Sequence, residues 1–213
     1  MNPSFSVLFV RGLVAAAVSL LVAWPAGART LLVFGDSLSA AYGISPDQGW
    51  VHLLGERAAR VDPQWRVVNA SVSGETTDGG LRRLSADLER HKPSMVVIAL
   101  GANDALRGQP IAGIRDNLEK MIRLARQARA EPVLVGIMIP PNYGIDYADQ
   151  FRQVYPALAK SDHVPLVPFL LEGIADKPDL FQADQLHPTA AAQRIILDNV
   201  WKTLGPLLRK PAS

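Results

Sequence analysis

A serine hydroxyl attacks a carbonyl only when a base takes its proton, and two distant stretches of this chain supply the two halves of that pair. The first is Phe34-Gly35-Asp36-Ser37-Leu38, where the apolar run Leu31-Leu32-Val33-Phe34 ends on a glycine and short polar residues. A run cut off in this way reads as a buried strand leaving the core. Asp36 or Ser37 is expected to cap a helix that begins just after it. Ser37 would then stand at the carboxyl edge of a strand, its N–H among the unpaired donors of a helix start. A plain helix cap accounts for the same serine equally well. The second stretch is Asp184-Gln185-Leu186-His187-Pro188. An aspartate three residues before a histidine can reach the imidazole within one turn, accepting from one ring nitrogen and leaving the other free as a general base. Facing Ser37, that imidazole could take the hydroxyl proton and later return it to a leaving group. A turn cap at Asp184 and a helix cap at His187 are the plainer alternatives.

An attacked carbonyl also needs donors for its developing oxyanion. Gly74 closes the polar turn Ser71-Val72-Ser73-Gly74, where a backbone N–H can approach a substrate without a side chain in the way. Asn103, in Gly101-Ala102-Asn103-Asp104, carries an amide that can donate. A tight turn at Gly74 and a local loop cap at Asn103 remain the simpler readings. The other histidines, His52, His91 and His163, fall within a helix, at a helix end and in a loop, and read as structural or solvated. Histidines and carboxylates are too sparse and too irregularly spaced for a zinc site, so no metal or other cofactor is expected.

These residues need a scaffold that gathers them. Besides the run before Ser37, apolar strands are expected over 65–70, 95–100, 133–139 and 164–169. Helical spacing fills the gaps. It runs over 49–61, from Leu81 to a stop at Pro93, and from 111 to about 130 with Pro132 closing it. It resumes over 147–160, where Pro156 should kink or restart the helix, and over 189–208, with Thr189 as its cap. Strands alternating with amphipathic helices imply a parallel sheet covered on both faces. In such a sheet ligands bind beyond the carboxyl ends of the strands. Every polar cluster named above falls at such an end, so residues far apart in sequence can share one place.

The composition is that of an ordinary globular protein: 213 residues, 48% hydrophobic, 20% charged, net charge +2. No Lys/Arg run or basic–aromatic interleaving suggests nucleic acid. Residues 1–28 differ from the rest. Arg11 is their one charged residue before Arg29; an apolar stretch follows to Trp24, then Pro25 and Ala26-Gly27-Ala28. That order reads as a secretory signal cleaved after Ala28, leaving one domain over 29–213. The apolar stretch is shorter than the ~20 residues of a membrane span, and no second one appears. The absence of cysteine excludes disulfides and lipid-modified thiols.

The blocks Gly35-Asp36-Ser37-Leu38, Gly74, Gly101-Ala102-Asn103-Asp104 and Asp184-Gln185-Leu186-His187 resemble, in order, the four blocks of the SGNH (GDSL) hydrolase superfamily. The similarity is strongest to its bacterial periplasmic thioesterase/lysophospholipase/arylesterase branch. It extends through Val68-Asn69-Ala70-Ser71, Ala130-Glu131-Pro132, Pro141-Asn142-Tyr143-Gly144 and Val164-Pro165-Leu166-Val167-Pro168-Phe169. The resemblance implies a flavodoxin-like three-layer α/β/α sandwich with a five-stranded parallel sheet. It implies Ser37 as nucleophile, His187 as base and Asp184 as its orienting acid, with Ser37, Gly74 and Asn103 forming the oxyanion hole. It also implies a periplasmic or secreted esterase acting on acyl esters and thioesters such as lysophospholipids, acyl-CoA and aryl esters. Leu106, Ile139, Pro141 and Tyr143 are candidates for an acyl groove, or for ordinary loop packing. The expected partner is a small-molecule ester, and the expected state a monomer. Two rivals stand beside this reading: a carbohydrate acetyl esterase of the same superfamily, and a non-catalytic exported binding protein using the same strand-end cleft.

Overall fold

Buried β-branched runs alternating with amphipathic segments give one sheet between two layers of helices. The computed structural model describes residues 28–210. The leader expected over 1–28 lies outside the described residues apart from Ala28. Among the described residues no helix is long and apolar enough to cross a membrane. In chain order the strands are β1 (Arg29–Gly35), β2 (Trp65–Asn69), β3 (Met95–Ala99), β4 (Glu131–Val135) and β5 (Leu166–Val167). All pair in parallel, in the order β2-β1-β3-β4-β5. The central strands have no exposed face: Val33 opposes Val97 and Val97 opposes Val133, all fully buried. That two-sided burial explains why their sequences are continuous apolar runs rather than alternating ones.

The helices are α1 (Trp50–Val61), α2 (Thr77–His91), the short α3 (Ala102–Leu106), α4 (Ile111–Gln127), α5 (Ile145–Ser161) and α6 (Gln193–Leu208). α1 packs on α6, while α2 packs on α4 and α4 on α5, which gives the outer layers. α4 shows the cause: Ile114, Leu118, Met121, Ile122 and Ala125 recur at helical spacing and are all buried.

Proline accounts for several departures from the sequence reading. β5 is two residues long rather than six, because Pro165 and Pro168 bracket it and neither can donate to the ladder. Pro132 does not close α4. It lies inside β4 opposite Val96, and α4 ends earlier through a left-handed Arg129 (φ 62°) and an Ala130 N–H to Ala125 O bond of 2.9 Å. β4 in turn starts at Glu131 and stops at Val135, before Pro140 and Pro141 carry the chain away. Pro156 neither stops nor restarts α5; it sits on the solvent face, where water can serve the carbonyl that lost its partner. Thr189 makes no side-chain cap. Its hydroxyl bonds Leu180 O, and a short 3₁₀ turn, Ala190–Ala192, precedes α6.

Candidate active site

β1 ends at Gly35, beside Ala99 of β3, and the chain turns at the sheet's carboxyl edge. No helix starts after Ser37. A single turn forms, with Ala40 N–H to Asp36 O at 2.9 Å, before Ala41 (φ 58°) and Gly43 (φ 73°) enter the left-handed region. A right-handed helix cannot run through such residues. Asp36 nevertheless caps the turn: its Oδ1 accepts the Leu38 N–H at 3.0 Å, and its Oδ2 accepts from Asn103 Nδ2 at 3.3 Å. The carboxyl is 1% exposed. Burial pushes its pKa up to about 7, against the opposing hydrogen bonds from Leu38 and Asn103 and with a further push from Asp104. A folded-state pKa above the unfolded one means this group costs stability as pH rises from 3.8 through about 7.

His187 reaches Ser37 from the far end of the chain. Its Nε2 lies 2.9 Å from Ser37 Oγ, and its Nδ1 lies 2.7 Å from Asp184 Oδ2. The other Asp184 oxygen accepts the N–H groups of Leu186 (2.9 Å) and His187 (3.0 Å). Asp184 thus caps its own turn and faces the imidazole at once. The main-chain bond from His187, the imidazole contact and the Leu186 bond hold its pKa down at about 2. A hairpin-like loop carries the pair: Phe181 bridges Pro188, Gln182 N–H donates to His187 O at 2.8 Å, and Gln185 takes φ 56°. Gln182 Nε2 then donates to Tyr42 O at 2.8 Å, tying this loop to the turn after Ser37. The Tyr42 ring sits 4.4 Å from the imidazole, tilted by 40°. Sequence reasoning missed Tyr42 and Gln182, since nothing local marks either one; their roles arise only across the fold.

Two loops stand next to this turn. Val72 N–H bonds Gly35 O at 3.0 Å, fixing the loop after β2 against the end of β1. Gly74 follows with φ 78°, and its carbonyl accepts from Arg107 Nη2 at 3.2 Å. Among the described residues the N–H groups of Ser37 and Gly74 donate to no protein acceptor. Asn103 lies in the first turn of α3, reached through Gly101 at φ 122°, where a Cβ would come 2.4 Å from Tyr155 Oη. Glycine is therefore required there.

Ser37, Asn103 and His187 line one cavity of about 440 Å³ with largely apolar walls. Leu106, Ile139 and Pro141, named above as groove candidates, are among the residues lining it; so are Phe169, Leu171 and Phe181, which were not foreseen. Gly74 is outside the lining, at the Arg107 side. Tyr143, expected in the groove, is also outside it and 43% exposed. It ends the 3₁₀ turn Pro141–Tyr143, which the chain enters through Pro140 and Pro141. The remaining histidines stand apart from this cluster: His52 faces Glu56 at 3.6 Å, His91 ends α2, and His163 occupies a loop at φ 50°. Among the described residues no group of three or more His, Cys, Asp or Glu side chains could hold a metal ion.

Comparison with known proteins places this geometry among relatives. The profile of the GDSL-like Lipase/Acylhydrolase family matches residues 33–195. The chain is 51% identical over 183 residues to Esterase TesA of Pseudomonas aeruginosa, covering 86% of this chain and 91% of that one. It is 43% identical over 183 residues to the Thioesterase 1/protease 1/lysophospholipase L1 of Escherichia coli, covering 86% of each. Among solved structures it is similar to the psychrotrophic esterase EstA from Pseudoalteromonas, inhibited by monoethylphosphonate. That likeness has a TM-score of 0.80 and 40% identity, over 85% of this chain and 100% of that one.

Proposed function

Because the chain belongs to the GDSL-like lipase/acylhydrolase family, we propose that it is an exported serine esterase. On this reading it cleaves acyl esters and thioesters with an apolar acyl chain, through a covalent acyl-enzyme. The observation that carries the mechanism is the unbroken relay of 2.9 Å from Ser37 Oγ to His187 Nε2 and 2.7 Å from His187 Nδ1 to Asp184. His187 accepts the Ser37 proton as Oγ bonds to the carbonyl carbon, giving a tetrahedral oxyanion. The N–H groups of Ser37 and Gly74 and the Asn103 amide receive that charge. As the C–O or C–S bond breaks, His187 gives its proton to the leaving alcohol or thiol. Water then repeats the cycle on the acyl-enzyme, with His187 as base. Asp184 keeps Nδ1 protonated, and so leaves Nε2 free to accept.

The apolar cavity beside Ser37 supports an acyl chain as the buried half of the substrate, with the leaving group toward solvent. Lysophospholipids, aryl esters and acyl-CoA all fit that division. A series of p-nitrophenyl esters from acetyl to dodecanoyl tests both activity and substrate class. kcat/KM is expected to rise by about two- to fourfold per methylene until the cavity is filled, as each buried CH₂ contributes about 0.8 kcal/mol. A maximum at acetyl with a steady fall beyond it would shift the reading to an acetyl esterase. No turnover of any member would leave a binding protein.

Arg11, the apolar stretch after it and Ala26-Gly27-Ala28 support export with cleavage after Ala28. N-terminal sequencing of the exported protein is expected to begin at Arg29; Met1 would refute processing.

A further inference from the structure

Asp36 is a costly residue to keep where it is. Its carboxyl is almost wholly buried, and among the described residues no cation lies against it; its side-chain hydrogen-bond partners there are the Leu38 N–H and Asn103 Nδ2. Leu38 needs only one acceptor, and a neutral side chain could supply it. The other oxygen, Oδ2, faces the Asn103 amide at 3.3 Å. Asn103 has no second side-chain partner among the described residues: nothing donates to its Oδ1, and its Nδ2 bonds Asp36 alone. An asparagine amide is nearly symmetric in shape, so packing hardly distinguishes its two orientations. One of them places a donor at the position facing both Asp36 and the cleft; the other places an acceptor there.

We propose that Asp36 is a positioning residue that fixes which end of the Asn103 amide faces the cleft. In its ionised form the carboxyl only accepts, so it then holds Nδ2 in place and excludes Oδ1. One Nδ2 hydrogen is taken by Asp36, and the second stays free to point at the oxyanion. Without the carboxylate the amide can turn over and put an oxygen lone pair where negative charge develops. Asp36 touches neither substrate nor the reacting atoms; it acts through Asn103. The inference rests on the proposed roles of Ser37 and Asn103.

The test is a double-mutant cycle with p-nitrophenyl butyrate, using Asp36→Asn, Asn103→Ala and the double variant, alongside Ser37→Ala. Asp36→Asn keeps the size of the side chain and an oxygen for the Leu38 N–H, but turns a donor toward Asn103. Its kcat is expected to fall by about 10²- to 10³-fold, the range for losing one oxyanion donor, with KM changed less than about threefold. Asn103→Ala should lose a similar factor. The double variant should be no slower than Asn103→Ala alone, because Asp36 has nothing left to orient. A residue that served the fold alone would instead give losses that multiply, and that result overturns the proposal. So does an Asp36→Asn variant within threefold of the wild-type kcat. If Asp36→Asn fails to fold by near-UV circular dichroism, Asp36→Ser, too short to reach Asn103, replaces it with the same expectation. Wild-type rates in Ser37→Ala or Asn103→Ala would refute the mechanism itself. Loss in those two with none in the Asp36 variants would refute the positioning role only.

Discussion

Replacing Ser37 by alanine is expected to lower kcat for p-nitrophenyl butyrate by about 10⁴-fold or more, a loss typical of removing a triad nucleophile. The physical reason is narrow. The substitution deletes one oxygen, whose side-chain partner is His187 Nε2 at 2.9 Å, and leaves the Ser37 N–H in place. On the proposed mechanism substrate can still enter the cavity, and the proposed oxyanion donors can still polarise its carbonyl. What disappears is the atom that forms the acyl bond. The residual rate must come from water, which His187 can activate only poorly because nothing holds it at the attack position. The main chain of the turn is held by Ala40 N–H to Asp36 O and by the Asp36 side chain, and neither bond involves Oγ. Thermal stability should therefore stay close to wild type. A fluorophosphonate probe should label the wild-type protein at Ser37 and leave the variant unlabelled. Undiminished turnover by Ser37→Ala would mean that water, not Ser37, attacks the ester.

Much of this arrangement is legible in the residues themselves, and the exceptions have physical causes. Runs such as Met95-Val96-Val97-Ile98-Ala99 announce strands buried on both faces, and the structure buries every one of those side chains. Strand order is another matter. Placing β1 between β2 and β3 reverses the direction of the crossovers at β1. The loops leaving β1 and β3 diverge at such a switch point and open a crevice. Ser37 and Asn103 leave the sheet there, on neighbouring strands separated by more than sixty residues of chain. Local signals failed where tertiary contacts overrode them. The small residues after Ser37 look helical, yet left-handed Ala41 turns the chain so that Tyr42 can lie against His187. Val164 to Phe169 looks like a full strand by composition, but its prolines leave room for two ladder residues. Tyr143 follows the expected loop, yet only Pro140 and Pro141 of that loop reach the cavity lining, and Tyr143 stays exposed. The contact between Gln182 and Tyr42 spans 140 positions, and no spacing rule reaches that far.

Asp184→Asn should be nearly as damaging, with kcat reduced by about 10²- to 10⁴-fold. The aspartate uses both oxygens: Oδ1 takes the main-chain N–H groups of Leu186 and His187, and Oδ2 faces imidazole Nδ1. Asparagine has a single oxygen, and two N–H donors keep it at the Oδ1 position. Its NH₂ group then points at Nδ1, where it can only donate. The imidazole answers by moving its proton to Nε2, the nitrogen that must accept from Ser37, so the base is lost although the loop is unchanged. The pH behaviour separates this from a general loss of stability. Asp184 titrates at about 2, below its ordinary 3.8, so its folded-state advantage is complete above 3.8 and disappears as pH falls through about 2. With its side chain 39% exposed, solvent screening keeps that advantage small. Above pH 5 the carboxylate is already fully ionised, so the variant's melting temperature should stay near wild type there while its kcat remains depressed. A kcat within threefold of wild type at pH 8 would mean that His187 does not depend on Asp184 for its tautomer.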